Sequence, residues 1–314
     1  MKNNYGIGKQ SLKMQVYIVT NCTLRKAGNC AISTVDLADV KDIGALLRSW
    51  RELVAVTPKF GTAKQLYRGR SIRDTSFVAA HLDAPWFVVS AGLGLVPADL
   101  MVPVYDCTVA PGSDLDKRLK RIGSNAKEWW NEITSDGPRP LSNLIETSRT
   151  LIAMPSTYLE MVYDDLSSIS ADACRNLRIF TSKAGREFVP ERLIDCVMPY
   201  DDRLESVKGF AGTRSDFPQR AMKHFVQVLN GSRLSLEGSR NAVDFALANL
   251  HYPVRAPGVR VTDDEIKQVL RAEWNRCLGK STLLLRFLRD DARISCEQKR
   301  FSRIWRSVAA EQRC

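Results

Sequence analysis

The chain has 314 residues, of which 44% are hydrophobic and 26% charged, and its 46 Lys and Arg against 35 Asp and Glu give a net charge of +11. This length and composition exclude a disulfide-stabilised miniprotein and a largely disordered chain, and they allow two or three folding units. The positive charge favours a polyanionic partner, with nucleic acid first, although charge of this size can also serve solubility alone.

The cysteines and the N-terminal segment indicate a cellular compartment. The eight cysteines are scattered without a C-x-x-C pair, so we expect reduced thiols. Residues 1–14 are polar, and no stretch approaches the ~18 apolar residues that a membrane span needs. The sequence therefore predicts a cytoplasmic protein that does not enter a membrane.

Short apolar runs that end in polar or glycine-containing loops predict buried strands. They cover Val16 to Thr20, Trp86 to Ser90 and Arg178 to Thr181, with a fourth candidate over Leu193 to Met198. Val40 to Val54 carries apolar residues at helical spacing, so a helix follows the first strand. This alternation predicts an α/β fold with a mostly parallel sheet flanked by helices.

The rest of the chain predicts an insertion and a helical tail. The stretch from Asp114 to Leu151 turns polar, which indicates an insertion or hinge. Further helices are expected over Phe217 to Leu229, Ala242 to Leu250, Asp263 to Cys277, Ser281 to Leu288 and Cys296 to Ala309. The last three form a unit with Gly279 in a turn, which is typical of a helix-turn-helix module or of a helical cap with a solvated basic face.

We therefore predict two domains. Residues 1–230 form an α/β base-binding catalytic domain with a helical insertion near 114–151, and residues 231–314 form a helical nucleic-acid-binding domain.

Missing motifs exclude several reaction classes. The sequence has no G-x-x-x-x-G-K-[ST] loop, no G-x-S-x-G elbow, no H-E-x-x-H and no zinc-deaminase signature. Its histidines, His81, His224 and His251, lack the spacing of metal ligands on a helix, and the turn at Gly92 and Gly94 lacks the third glycine of a dinucleotide fingerprint. We expect neither a metal nor a cofactor.

Strand-end loops rich in amides, tyrosines and carboxylates remain. Base excision needs an aromatic face for an extruded base, a group that orients water, and negative charge near the sugar. Tyr105, Asn21 and Asp106 meet these requirements. Each also has an ordinary role open to it. Asn21 could cap the next element and Tyr105 could lie in the core, while Asp106 could pair with Arg70.

Other residues of these loops complete the candidate site. The base-pocket candidates are Cys22, Tyr67, Gly69, Ser90, Gly92, Tyr200 and Asp201. The DNA-binding candidates are Arg25, Lys26, Arg70, Lys183, Arg203, Arg214, Arg220, Lys280, Arg286, Arg289, Lys299 and Arg300. Arg214 and Arg220 flank a predicted helix start, where backbone amides favour a phosphate clamp, although an ordinary helix capped by Asp216 fits the same pattern.

Four segments carry a family resemblance: I-V-T-N-C-T-L-R-K from Ile18, L-Y-R-G from Leu66, W-F-V-V-S-A-G-L-G-L-V from Trp86 and V-P-V-Y-D-C-T from Val102. Together they resemble the YaaA-like family over roughly the first 110 residues. The resemblance implies kinship with uracil-DNA-glycosylase-like folds and with base-modification enzymes of archaeosine and deazaguanine chemistry. The later segments M-P-Y-D-D-R, G-T-R-S-D-F and C-E-Q-K-R-F are similar to those of bacterial anti-phage DNA glycosylases that remove glucosylated hydroxymethylcytosine.

The resemblance also implies residue roles. In some uracil-glycosylase-like enzymes an Asn after the first strand positions the hydrolytic water, and Asn21 occupies that place. Their late His motif has no evident counterpart, and Tyr200 and Asp201 stand where it would be, so the leaving-group stabiliser stays open.

The resulting hypothesis is a monomeric DNA glycosylase that flips and excises a modified base from double-stranded DNA and leaves an abasic site. Asn21 and Asp106 act on water and the sugar cation, and Tyr105 or Tyr67 stacks the base. Three alternatives stay open. Lys26, beside the charge of Arg25, could attack the sugar as a Schiff-base amine. The chain could instead be a nucleic-acid-binding stress protein without turnover, or a base-exchange enzyme acting on DNA or RNA.

Overall fold

The computed structural model describes residues 15–136, 140–253 and 258–312, apart from the side chain of Lys299. The chain forms two compact units, the first ending at Tyr252 and the second beginning at Pro253. The boundary predicted at residues 230/231 falls inside the first unit, because Val243 and Leu247 of the following helix belong to its core.

The strands of the first unit are β1 (Val16–Asn21), β2 (Ile32–Ser33), β3 (Gly61–Thr62), β4 (Trp86–Ser90), β5 (Gly94–Pro97), β6 (Met101–Val102), β7 (Tyr105–Asp106), β8 (Arg149–Ala153) and β9 (Leu177–Phe180). Its α-helices are α1 (Ile43–Val56), α2 (Ala63–Leu66), α3 (Arg70–Leu82), α4 (Asp114–Arg121), α5 (Ala126–Ile133), α6 (Pro140–Thr147), α7 (Ser156–Met161), α8 (Tyr163–Ser167), α9 (Phe217–Gln227) and α10 (Leu236–Leu247).

A five-stranded sheet with the order β5-β4-β1-β8-β9 organises this unit. Its four neighbouring strands from β4 to β9 run parallel, and β5 is an antiparallel edge strand. The prediction of an α/β fold with a mostly parallel sheet flanked by helices is therefore confirmed. The chain passes from β1 to β4 on one side and later to β8 on the other, so a topological switch point lies between β1 and β8, where α/β folds commonly bind ligands.

Helices flank the sheet, and the longer ones bury an apolar stripe. In α1, Leu46, Leu47 and Trp50 are buried, and Asp42 caps the helix by accepting from the backbone N–H of Ala45 at 2.8 Å. Helix α3 packs on α9, and α9 contacts β8 and β9. Helix α5 packs on α1 and α7.

Two strand predictions are wrong. Arg149–Ala153 lies at the end of the predicted insertion, yet it forms β8 between β1 and β9. Leu193 to Met198 was expected as a strand but falls largely in the 3-10 helix Glu191–Cys196, and Val197 makes an isolated bridge to Ile179. Both runs are short, and periodicity does not separate a buried strand from a helical turn at that length.

The second unit consists of α11 (Asp263–Ala272), α12 (Ser281–Asp290) and α13 (Gln298–Glu311) around a separate apolar core. Thr262 and Glu265 form the capping box that begins α11. That helix ends at Ala272, before the predicted Cys277, and the following turn contains Gly279 at φ +62. No described helix of either unit has the length and apolar character needed to cross a bilayer.

Leu151→Ala tests the central position of β8. Leu151 is fully buried, so removing its side chain should lower the free energy of unfolding by about 2–5 kcal/mol. The matched control is Leu24→Ala, since Leu24 is 69% exposed and its loss should change stability by less than about 0.5 kcal/mol. Equal stabilities of the two variants in urea titrations would contradict the position of β8.

Candidate functional site

The carboxyl ends of β1 and β8 are joined by one side-chain amide. Gln219 of α9 is fully buried, and its Nε2 lies 2.9 Å from Thr20 Oγ1, 3.0 Å from Asn21 Oδ1 and 2.9 Å from the carbonyl oxygen of Ala153. Two N–H groups thus face three acceptors, which fixes the orientation of the amide. Asn21 completes the pair by donating from Nδ2 to the Cys22 carbonyl at 2.8 Å.

The other end of the Gln219 amide is unsatisfied. Its Oε1 is buried and has no hydrogen-bond partner among the described residues. Thr181 Oγ1, just beyond the carboxyl end of β9, is buried without a partner in the same sense. Buried polar atoms of this kind cost free energy unless a water or ligand bonds to them. The carboxyl edge of the sheet therefore holds an amide oxygen that requires a donor and a hydroxyl that can either donate or accept.

A chain of hydroxyl groups lies at the end of β4. Ser90 Oγ accepts from the backbone N–H groups of Gly92 at 3.2 Å and Leu93 at 3.0 Å. Its own proton is left for the Tyr105 hydroxyl at 2.5 Å, and the Tyr105 and Tyr67 hydroxyls lie 2.6 Å apart. Ser90 therefore anchors a short buried relay of three hydroxyls.

The turn after β4 is held from both sides. Trp50 Nε1 donates to the Gly92 carbonyl and Trp129 Nε1 to the Ala91 carbonyl, each at 2.6 Å. A Cβ at Gly92 would lie 2.7 Å from a ring carbon of Tyr105, so the close approach of the turn to that ring requires glycine.

Lys26 and two cysteines complete the cluster. Lys26 Nζ lies 4.6 Å from the ring centroid of Tyr105, within cation–π range. Cys22 Sγ lies 3.0 Å from the Tyr158 hydroxyl. Burial raises the pKa of the Cys107 thiol well above its usual value, and the Lys26 charge opposes that shift. The cluster thus combines neutral hydrogen-bonding groups with one ammonium.

The predicted stacking role of the tyrosines is wrong for this structure. Tyr67 and Tyr105 are each 1% exposed, so neither ring offers a free face to an extruded base. Asp106 follows Tyr105 in β7 and is exposed, because successive side chains of a strand point to opposite sides. The structure therefore leaves Asp106 outside the buried cluster.

The late Tyr-Asp pair lies apart from the hydroxyl relay. The Tyr200 hydroxyl lies 2.8 Å from Nδ1 of the buried His224, and Asp201 binds Arg203 through both carboxylate oxygens. The Tyr252 hydroxyl also donates to Asp201 at 2.9 Å. Tyr200 is thus a core residue with its hydroxyl satisfied, and Asp201 serves a surface ion pair.

Several predicted phosphate-binding arginines are engaged within the protein. Arg220 is fully buried, paired with Asp216 at 2.6 Å and bonded to the Thr213 carbonyl, so it does not form the predicted clamp. Arg70 pairs with Asp74 at 3.3 Å, which excludes the suggested pairing with Asp106. Arg203 is held by Asp201 as described above. Gly69, just before Arg70, has φ +119 and precedes α3.

Other basic side chains of the first unit remain exposed. Arg25 and Arg68 lie together after β1, since the N–H of Arg68 donates to the Arg25 carbonyl at 2.9 Å. Lys183 follows β9, and Arg214 precedes the helix that carries Gln219. We call Arg25, Arg68, Lys183 and Arg214 the basic rim, because each lies on a segment near the carboxyl edge.

The predicted basic face of the second unit is partly neutralised. Arg300 pairs with Asp263 at 2.7 Å, and Arg289 donates to the Cys296 carbonyl at 3.0 Å. Arg286 lies 3.5 Å from Asp290, while Lys280 is exposed at the start of α12. The side chain of Lys299 lies outside the described residues.

Gln219 is the main residue that sequence reasoning missed. It lies within the predicted helix, in the run F-P-Q-R-A-M-K-H-F, with buried residues on either side. A lone amide in a buried helical stripe was the available signal, since such a group needs hydrogen-bond partners.

No family model, no curated protein and no solved structure matches this chain, so the site is interpreted from its own geometry.

The buried tyrosines predict a loss of stability in alkali. Burial raises the pKa of Tyr67, Tyr105, Tyr158 and Tyr200 above the ordinary value of 10.0. Below the pKa of tyrosine in the unfolded chain, about 10, these residues are neutral in both states and the folded protein keeps its full stability. Above about pH 10 the free energy of unfolding falls by about 1.4 kcal/mol per pH unit for each tyrosine, because the unfolded chain ionises first. Urea titrations between neutral and alkaline pH would measure this slope.

The matched variant is Tyr200→Phe, which removes one such hydroxyl and should make the alkaline decline shallower. Tyrosinate absorbance should rise together with the loss of tertiary structure. Ionisation of these tyrosines at their ordinary pKa in the intact fold would contradict the prediction.

Proposed function

We propose that this protein is a DNA N-glycosylase that binds a flipped base at the carboxyl edge of the sheet and hydrolyses its N-glycosidic bond, leaving an abasic site. The observation that carries the proposal is the Asn21–Gln219 amide pair, fixed at the switch point between β1 and β8, with Gln219 Oε1 left as a buried acceptor. Because Gln219 is fully buried and Asn21 is 8% exposed, these fixed amides suit the placement of a water rather than direct contact with a base.

In the proposed reaction the oxygen of a water forms a bond to C1′ of the sugar while the N-glycosidic bond breaks. The base departs with the bonding electrons and takes up the proton that the attacking water loses. Asn21 Oδ1 accepts from Gln219 and keeps a second lone pair with which to orient that water. Lys26 supplies positive charge for the negative charge that develops on the departing base. This assigns the leaving-group role to the loop after β1, and it gives Asp106 and the two buried tyrosines no direct part.

The basic rim supports binding of the DNA backbone. Its four cationic side chains are exposed near the edge that carries the amide pair, so they can neutralise phosphates on either side of a flipped nucleotide. The net charge of +11 acts in the same direction at longer range.

The finer parts of the proposal rest on the resemblance of the sequence segments described above. They are a uracil-DNA-glycosylase-like arrangement of the sheet and action on phage DNA that contains glucosylated hydroxymethylcytosine. A helix-turn-helix-like use of the second unit rests instead on its three helices and the turn at Gly279, and we propose that the protein acts as a cytoplasmic monomer. Exposed Lys280 and Arg286 are the basic side chains with which the second unit would contact DNA.

Asn21→Ala tests the amide pair. The wild-type protein should release a base from phage DNA containing glucosylated hydroxymethylcytosine, and the variant should release it ~100-fold more slowly while retaining DNA affinity. Mass analysis of free bases and alkaline cleavage at abasic sites measure the release, with hydroxymethylated and unmodified DNA alongside. The matched control is Asn29→Ala, since Asn29 is exposed in the same loop and should be dispensable.

If the wild type releases a base and Asn21→Ala releases it equally fast, the assignment of the active site to the amide pair is wrong. Absence of release from every DNA, together with salt-sensitive binding, would instead favour a binding protein without turnover.

Lys26→Gln separates hydrolysis from Schiff-base chemistry. Hydrolysis predicts that borohydride traps no covalent DNA adduct on the wild type, while Lys26→Gln slows base release by about tenfold or more. The matched control is Lys64→Gln, because Lys64 is a surface lysine paired with Asp99. A trapped adduct that Lys26→Gln abolishes would replace the hydrolytic mechanism with attack by the Lys26 amine.

A further inference from the structure

Two arginines lie close together at the opposite, amino end of the sheet. Arg149 is the first residue of β8, and Arg178 is the second residue of β9. Leu151 is the register partner of Arg178, and it shares a sheet face with Arg149 because side chains alternate along a strand. Both guanidinium groups therefore project from the same face of adjacent strands.

Among the described residues, this pair donates hydrogen bonds only to neutral groups. Arg178 is 1% exposed and donates to Ser239 Oγ at 3.0 Å and to the carbonyls of Arg175, Leu177 and Leu234 at 2.8–3.0 Å. Arg149 Nη1 donates to the Ser232 carbonyl at 2.5 Å. Across residues 15–136, 140–253 and 258–312, neither arginine forms an ion pair with a carboxylate.

The pair is electrostatically unfavourable as it stands. Burial, with the neighbouring Arg149 charge, lowers the pKa of Arg178 to about 10. Burial also lowers the pKa of Arg149. Carbonyl oxygens satisfy N–H groups but do not neutralise two like charges removed from water. A net negative charge between these side chains would stabilise the folded protein.

Arg149 provides the donors that such an anion needs. Its Nε is buried and has no hydrogen-bond partner among the described residues, although the residue as a whole is half-buried and reachable from solvent. Arginine presents N–H groups in a planar fork that matches two oxygens of a phosphate-type anion.

We propose that Arg149 and Arg178 form a binding site for a phosphate-type oxyanion at the amino end of the sheet. Arg149 makes the direct contacts, and the buried Arg178 attracts the anion through its positive charge. This site lies at the opposite ends of β8 and β9 from the Asn21–Gln219 pair, and it does not depend on the proposed glycosylase activity. The anion is either free phosphate or the terminal phosphate of a nucleotide chain.

Thermal unfolding of the full chain tests the site with inorganic phosphate. At equal ionic strength, replacing chloride with ~10 mM phosphate should raise the unfolding temperature by about 3 °C for a site that is near saturation. Arg149→Gln should abolish this difference. Arg175→Gln is the matched control. The side chain of Arg175 is 75% exposed and pairs with Asp172, so this substitution removes one positive charge nearby without touching the proposed site.

A wild-type protein that unfolds at the same temperature in phosphate and chloride would overturn the proposal, and this result does not depend on any variant folding. An equal phosphate shift in Arg149→Gln would overturn it as well, since general salt effects on stability act without a specific site. To identify the source, a short oligonucleotide with a 5′-phosphate is compared with the same strand carrying a 5′-hydroxyl. A larger shift with the phosphorylated strand assigns the site to a nucleotide terminus, and equal shifts smaller than that of inorganic phosphate assign it to the free ion.

Discussion

The side-chain amide of Gln219 ties the first unit together at the point where its two central strands end. It holds a hydroxyl, an amide oxygen and a backbone carbonyl at the ends of β1 and β8, so α9 cannot shift along the sheet without breaking buried hydrogen bonds. The same contacts set the position of Asn21. Fold and candidate site therefore depend on one buried polar group, and the free lone pairs of that group are what distinguish this edge from an ordinary sheet end.

The fold class was predictable from the sequence because hydrophobic periodicity depends on burial, and burial is strongest in the middle of the sheet. Val16 to Thr20 and Trp86 to Ser90 were found on that basis, and both form strands of the central sheet. β8 was not found, since a five-residue run with Arg at one end and Ala at the other carries no period of its own. Its place between β1 and β9 is a long-range property that one sequence does not display.

The candidate site was predictable only in part, for a related reason. Loops after strands were correctly chosen as the place for polar side chains, and Asn21 and Ser90 do lie at strand ends. What the sequence lacked was direction: Tyr105 and Asp106 are neighbours, yet one is in the core and the other in solvent. Partner choice was equally hidden, because Arg220 and Gln219 are adjacent in α9, and one is neutralised by Asp216 while the other reaches the strand ends.

The two indoles that hold the turn after β4 have an optical consequence. Trp50 and Trp129 each donate from the indole nitrogen to a carbonyl of Ala91 or Gly92, immediately beside the relay anchored by Ser90. Indole emission responds to the polarity and hydrogen bonding around that nitrogen. Two of the six tryptophans therefore report on the turn after β4, and an emission change that Trp50→Phe or Trp129→Phe reduces would mark a movement of that turn without an added label.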